Sequence, residues 1–271
     1  MQLNYANSVQ GVMNFAADKN DGGQFSNTKP ELTRQNLQPV EIEIRNGRTW
    51  VRSPTLEHEG LTLVQHPGGR AQWSDREWIE AEYVPSCIEL VKQLTGAHAA
   101  LQVYSSMQRR VDYQNYRGAA PTAGFVHIDQ TRDIAMAFAG HIAAASGVTF
   151  KAARIYNVWK SMTPAPQDYP LAVSDQHSIP LVDHVPGETV EYLGENADKL
   201  VSPYVLLSPS AQQKYYYYPD MDPDESLVFV GVDLDPARPL GCAHSAFLYP
   251  QPNGTCMPRA SIETRVLAIF D

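Results

Sequence analysis

His127-Ile128-Asp129 sets an imidazole and a carboxylate two residues apart, inside Gly124-Phe125-Val126-His127-Ile128-Asp129-Gln130-Thr131. The segment reads as a strand. Strand side chains alternate between faces, so Phe125, His127 and Asp129 share one face, with Val126 and Ile128 on the other. An imidazole and a carboxylate side by side can hold two adjacent positions on a metal. A second histidine from another strand would complete a two-histidine, one-carboxylate set, which leaves three coordination positions open, as non-haem Fe(II) oxygen chemistry needs. A bare His-x-Asp also occurs as a strand-end histidine hydrogen-bonded to its neighbour. The long β-rich segment that follows favours the ligand reading.

The third ligand is expected late in the chain, from a strand paired across the barrel. His141, His177, His184 and His244 are the histidines that follow the triplet. His141 lies in an Ala-rich helical run, and His177 and His184 lie in a loop rich in Pro and Asp. His244 opens the strand-like run Ala243-His244-Ser245-Ala246-Phe247 and is the preferred candidate. A 2-oxoglutarate co-substrate would chelate such an iron through its keto-acid end. Its far carboxylate would need a fixed cation, and the planar fork of arginine suits that task. Arg259 with Ser261 on one strand face is the first choice, and Arg265, on the same parity, is the rival. Either arginine could instead be a surface or ion-paired residue, with Glu263 or Glu191 as partner.

The elements that would position these residues can also be read. Residues 1–37 are polar and are expected to form a loosely structured arm, able to embrace a second copy of the chain in a homodimer. Residues 38–271 are expected to form one domain. The run Val40-Glu41-Ile42-Glu43-Ile44-Arg45-Asn46-Gly47-Arg48-Thr49-Trp50 reads as a strand, a turn at Asn46-Gly47 and a second strand. A helix is expected over Ser74–Leu94, with Ser74 as N-cap, Glu77 completing a capping box and Gly96 as the stop. A strand beginning at Ala100 and a helix over 131–145, stopped by Gly147, are expected next. From residue 150 onward, seven short strand-like runs alternate with Pro-rich turns. Such a pattern indicates a sandwich or closed barrel. The expected fold is mainly β with flanking helices, a double-stranded β-helix (jelly roll, cupin-like).

Within Arg154-Ile155-Tyr156-Asn157-Val158-Trp159-Lys160 both faces carry polar groups, which nominates Tyr156 or Asn157 to bond the co-substrate. Gln102, Tyr104, Phe125, Trp159 and Tyr217 are candidates for the substrate pocket.

Composition narrows the class. The chain has 271 residues, 43% hydrophobic, with a formal net charge of -9. That charge argues against nucleic acid or an anionic membrane as partner. No apolar run approaches the roughly 20 residues of a membrane span, and the N-terminus is a poor signal peptide. Three scattered cysteines, Cys87, Cys242 and Cys256, make no disulfide framework. The expected compartment is the cytoplasm.

Several blocks carry a resemblance over roughly residues 40–271. They are Gly60-Leu61-Thr62-Leu63-Val64 with His66-Pro67; Leu94-Thr95-Gly96-Ala97 with Arg109-Arg110; Val126 through Thr131; Tyr156 through Lys160, with Pro170-Leu171-Ala172-Val173, Asp175 and Ser178; Tyr216 through Met221 with Pro223-Asp224-Glu225; and His244-Ser245-Ala246-Phe247 with Pro258 through Arg265. In these the chain resembles the oxygenase family that contains the gibberellin desaturase, the fungal meroterpenoid endoperoxide-forming oxygenase and the cephalosporin 7-methoxylation partner chain. The resemblance implies a double-stranded β-helix that binds Fe(II) and 2-oxoglutarate, with His127, Asp129 and His244 as iron ligands and the Arg259–Arg265 strand at the co-substrate end. The family carries arginine where Lys160 stands, and lysine supplies a point charge without the fork. The expected activity is oxidation of a C–H bond of a small natural-product or amino-acid-derived substrate by O2, through hydroxylation, desaturation or oxidative cyclisation. The alternatives are a non-catalytic jelly-roll partner subunit of another oxygenase, and a zinc hydrolase on the same ligands.

Overall fold

A computed structural model describes residues 6–68, 71–193, 198–250 and 256–271. The chain begins with β1 (Ser8–Ala16), β2 (Gly23–Phe25), β3 (Arg34–Gln35), β4 (Leu37–Asn46) and β5 (Leu61–Gln65). A helical segment follows, made of α1 (Arg76–Trp78), a π-helical turn (Ile79–Tyr83) and α2 (Val84–Thr95). Then come β6 (Ala99–Gln102), β7 (Met107–Arg110), β8 (Ala120–Pro121), β9 (His127–Ile128) and α3 (Arg132–Ala145). The remainder is strand: β10 (Ala152–Ser161), β11 (Leu171–Ser174), β12 (His184–Leu193), β13 (Asp198–Leu207), β14 (Tyr215–Tyr217), β15 (Glu225–Asp233), β16 (His244–Ala246) and β17 (Ala260–Phe270).

Two sheets contain these strands. A 10-stranded sheet runs β1-β4-β14-β11-β16-β9-β13-β12-β2-β3, and a 7-stranded sheet runs β5-β15-β10-β17-β7-β8, with β6 also on β17. Residues of both sheets share one core: Ile44, Ala172 and Val205 from the first pack with Ile155, Val232 and Leu267 from the second. Small side chains on one stripe of α3, Ala135, Ala139 and Ala143, join that core. The apolar stripe of α2, Val84, Cys87 and Val91, packs on the second sheet beside Val158 and Val266. The mainly β, jelly-roll architecture expected from the strand spacing is the one observed.

Several local expectations are corrected. The N-terminal stretch is not loose: Ser8–Ala16 pairs antiparallel with β4 along its whole length. Its alternation buries Met13 and Phe15, and Gly11 leaves room for Ile44 Cδ1, which a Cβ would meet at 2.7 Å. Polar composition hid a strand whose inward residues are apolar. The hairpin expected at Asn46-Gly47 is also absent. Asn46 accepts a bond from the Arg48 N–H and caps a 3-10 turn over Gly47–Thr49. Gly47 is there because a Cβ would come within 2.6 Å of the Tyr218 ring. The helix N-cap is Asp75, not Ser74; the Asp75 carboxylate accepts from the Glu77 and Trp78 amides at 2.9 and 3.2 Å. Pro85 falls inside this helical segment and has no N–H to give, and the π-turn absorbs the missing bond. Gly96 stops α2 in the left-handed region (φ 68°), as expected.

Lys160 is fully buried on β10. Its ammonium donates to the carbonyls of His66 and Pro223 at 2.7 and 2.6 Å, so it ties backbone segments together and takes no part in a pocket. Among the described residues no helix is long and apolar enough to cross a membrane.

Candidate metal centre

Strand pairing brings the expected donors together. β9 and β16 are hydrogen-bonded neighbours with His127 directly opposite His244, so the second histidine comes from the adjacent strand of the same sheet rather than from across the barrel. The ring centroids lie 4.4 Å apart. Asp129 follows β9 in a bend, and its Oδ1 lies 3.7 Å from His127 Nε2 and 3.9 Å from His244 Nε2. One donor atom from each of the three residues lies within 4.8 Å of the others. Each imidazole is oriented by its other nitrogen: His127 Nδ1 is 2.9 Å from the Phe125 carbonyl, and His244 Nδ1 is 3.2 Å from the Cys242 carbonyl. A carbonyl can only accept, so each Nδ1 carries the proton and each Nε2 lone pair faces Asp129. Burial, reinforced by the neighbouring His244, pushes the His127 imidazole down to about 3, so it is neutral at physiological pH. Burial opposes ionisation of Asp129, but the Arg265 guanidinium above all overcomes it and holds the carboxyl below the usual carboxylate range. This is a donor set that fits a divalent cation: two imidazole nitrogens and one carboxylate oxygen on one side, with the other side open.

The second sheet supplies the opposite wall through parity. Arg259, just before β17, and residues 261, 263 and 265 on it point to the site. Their cross-strand partners do the same: Asn157 lies opposite Arg265, Trp159 opposite Glu263, and Arg109 opposite Ser261. Asn157 Nδ2 donates to Asp129 Oδ2 at 2.7 Å, and Arg265 Nη2 donates to Asp129 Oδ1 at 2.7 Å. Arg265 also pairs with Glu263 at 2.8 Å. Asn157 Oδ1 and Arg265 Nε are buried without a hydrogen-bond partner among the described residues.

Arg259 is placed differently. It is 2% exposed, beside Trp159, and bonds only the Ser261 hydroxyl and the Tyr169 carbonyl through its guanidinium. No carboxylate among the described residues lies within ion-pair distance of it. Burial, with Arg109 nearby, lowers it to about 9. A small cavity joins Arg259, Arg109 and Trp159 to His127, Asp129 and His244. A buried guanidinium with no carboxylate in ion-pair distance among the described residues, on a cavity shared with the donor set, can receive an anion.

A larger pocket of about 270 Å³ opens on the other side of the donors. Tyr104, Phe125, Phe138, Tyr204 and Leu200 give it an apolar wall, and Gln130, Glu191 and Glu263 add polar groups. Of the nominated residues, Tyr104 and Phe125 line this pocket and Trp159 lines the smaller cavity. Three nominated residues are elsewhere. Tyr156 lies on the opposite face of β10, in the core that holds Cys87 and Val91; alternation sends it away once Asn157 points to Asp129. Gln102 turns outward to Glu80 at 3.3 Å. Tyr217 fills core against Phe247 and Tyr249, at 5.5 and 5.8 Å between centroids. Arg109 and the N-terminal residues Phe25 and Asn27 were not foreseen in the pocket; Asn27 reaches it because β2 pairs with β12, and its Oδ1 accepts from Arg109 at 3.0 Å. A buried Arg109 opposite Ser261 has no signal in the sequence beyond its place in a resemblance block.

Comparison with known proteins gives the same direction. The chain is 26% identical over 285 residues to "Oxidoreductase clz16" of Cochliobolus lunatus, covering 95% of each chain. It is 27% identical over 248 residues to "Fe(II)/2-oxoglutarate-dependent dioxygenase nvfI" of Aspergillus novofumigatus, covering 88% of this chain and 87% of that one. A solved structure titled iron and alpha-ketoglutarate-dependent endoperoxidase NvfI superposes with a TM-score of 0.83 at 25% identity, covering 97% of this chain and 98% of that one. A family description also matches nearly the whole sequence. With residues 4–269 matched, the chain belongs to the oxidoreductase/YMDC permease-like domain family.

Proposed function

We propose that the chain is an Fe(II)- and 2-oxoglutarate-dependent dioxygenase that oxidises a C–H bond of a small organic substrate, by hydroxylation, desaturation or oxidative cyclisation. The observation that carries this reading is the convergence of His127, Asp129 and His244 between a cavity with a counterion-free buried arginine and a larger, largely apolar pocket. Relatives named as Fe(II)/2-oxoglutarate dioxygenases support it. His127, Asp129 and His244 would hold the iron. Bound iron would couple the oxidative decarboxylation of 2-oxoglutarate by O2, which yields succinate and CO2, to oxidation of the substrate C–H bond.

The chain's own residues do the rest. The Phe125 and Cys242 carbonyls fix the two imidazoles in the tautomer that presents Nε2. Arg259, braced by Ser261 and Tyr169, receives the far carboxylate of 2-oxoglutarate and thereby sets the direction in which the keto acid enters. Arg265 is already paired with Asp129 and Glu263, which makes it the weaker candidate for that carboxylate. The aromatic wall of the larger pocket excludes water and seats an apolar part of the substrate. A complete donor set has no purpose in a non-catalytic partner subunit. The compartment we assign is the cytoplasm, in keeping with the buried, unbridged thiols of Cys87 and Cys242.

The test is succinate release from 2-oxoglutarate by the purified chain. Turnover is expected to need both Fe(II) and O2 and to vanish in His127→Ala, Asp129→Ala and His244→Ala. An iron-loaded chain that releases no succinate with any of a panel of candidate metabolites would sink the reading. Hydrolysis that ignores 2-oxoglutarate would replace it with the zinc hydrolase. Mass spectrometry of the products separates hydroxylation from desaturation and cyclisation.

A further inference from the structure

Asn157 is fully buried on β10, and its amide makes one hydrogen bond, to Asp129 Oδ2. Its own Oδ1 has no partner among the described residues. A buried amide left half-satisfied costs free energy, so the one bond it does make calls for a reason. The surroundings are built to keep it. β10 and β15 slip register between Ile155 and Tyr156, with Val232 and Val230 as the successive partners, so Gly231 is the extra residue of a bulge. A Cβ on Gly231 would stand 2.8 Å from Asn157 Oδ1. The bulge and the glycine together leave the amide just enough room to turn Nδ2 to Asp129.

Asp129 has two oxygens. Oδ1 is the one that both imidazole Nε2 atoms face, at 3.7 and 3.9 Å, and it accepts from Arg265 Nη2 at 2.7 Å with a second lone pair left toward the imidazoles. Oδ2 is the one that Asn157 holds. Resting on the metal centre proposed above, we infer that Asn157 is a positioning residue that restricts Asp129 to single-oxygen coordination. Were both carboxylate oxygens to bind, an octahedral cation would lose one of the three positions that the co-substrate and O2 need. Asn157 touches none of the reacting atoms; it acts through Asp129, and Gly231 acts through Asn157.

The experiment uses Mn(II) as an octahedral, spectroscopically readable probe on the full chain, at saturation, with water-proton relaxation counting the waters on the bound ion. The wild type is expected to show three. Asn157→Leu, which keeps the branched heavy-atom skeleton and removes the donor, is expected to show two, with 2-oxoglutarate binding to the Mn(II) form weakened. Gly231→Ala, which crowds the amide without removing it, is expected to lose a water in the same way and serves if Asn157→Leu does not fold. A merely structural role for Asn157 would lower the melting temperature and leave the water count at three; that outcome in either folded variant overturns the inference. Failure of the wild type to bind Mn(II) would instead refute the metal centre itself.

Discussion

Burial removes the proton from His127 before any metal does. The shift has a second consequence, for the metal-free chain. An unfolded histidine titrates near 6.5, whereas His127 is pushed down to about 3 and His66 to about 4, burial being the leading cause for both. Below about 6.5 the unfolded chain takes up protons that the native chain refuses. Native stability is therefore expected to fall as pH drops from about 6.5 toward 4. Urea midpoints of the metal-free chain between pH 7 and 5 check this, and His66→Gln should flatten the slope; an unchanged slope would place the proton uptake elsewhere. Arg259 makes a different kind of prediction. Arg259→Gln should raise KM for 2-oxoglutarate roughly 10- to 100-fold, on the order of a charge-assisted bond of ~1.5–3 kcal/mol, with little change in metal affinity; an unaltered KM would move the carboxylate to Arg265 or Arg109. The convergence of His127 and Asp129 was legible because period-two alternation turns spacing into direction. Tyr156 was not, since polar residues on both faces of a strand leave its inward parity undetermined until Asn157 is seen against Asp129. Tyr217 misled for another reason: nothing local records that Phe247 and Tyr249 close over it.

At the scale of elements, the helical segment shows what local chemistry can and cannot say. Its stop was readable from Gly96, whose φ of 68° suits only a residue without a Cβ. Its start was misplaced by one residue because Ser74 and Asp75 are both good caps, and only the hydrogen bonds separate them. Asp75→Ala should cost about 1 kcal/mol, or about 2–4 °C in melting temperature, while Ser74→Ala should cost almost nothing. Thermal denaturation of the pair distinguishes the two caps, and equal losses would contradict the assignment. β13 escaped notice altogether. Pro203 interrupts its apolar pattern, yet it pairs with β12 over ten positions, Pro203 lying opposite Glu188. Tertiary pairing outweighed the propensity of one residue.

For the whole molecule, the lesson lies in the first thirty residues. Composition marked them as an arm, yet β1 closes one edge of the larger sheet and β2 lines the pocket of about 270 Å³ beside the donors with Phe25. Removing residues 1–28 should therefore leave a chain that aggregates or melts far below the full-length protein; circular dichroism of a well-folded truncation would show the arm reading to be right after all. The same sheet holds a narrow place. β9 meets β16 through the single pair His127 and His244, and meets β13 through two pairs. Five strands lie on each side of the β9–β16 seam. An ion gripped by those two imidazoles would act as a rivet through the thinnest seam of the sheet. Gaining or losing iron is then a mechanical event as well as a chemical one: chelation should quicken amide exchange around Ile128 and Ser245 while α2 stays protected, so that an empty enzyme unzips from its middle rather than from its ends.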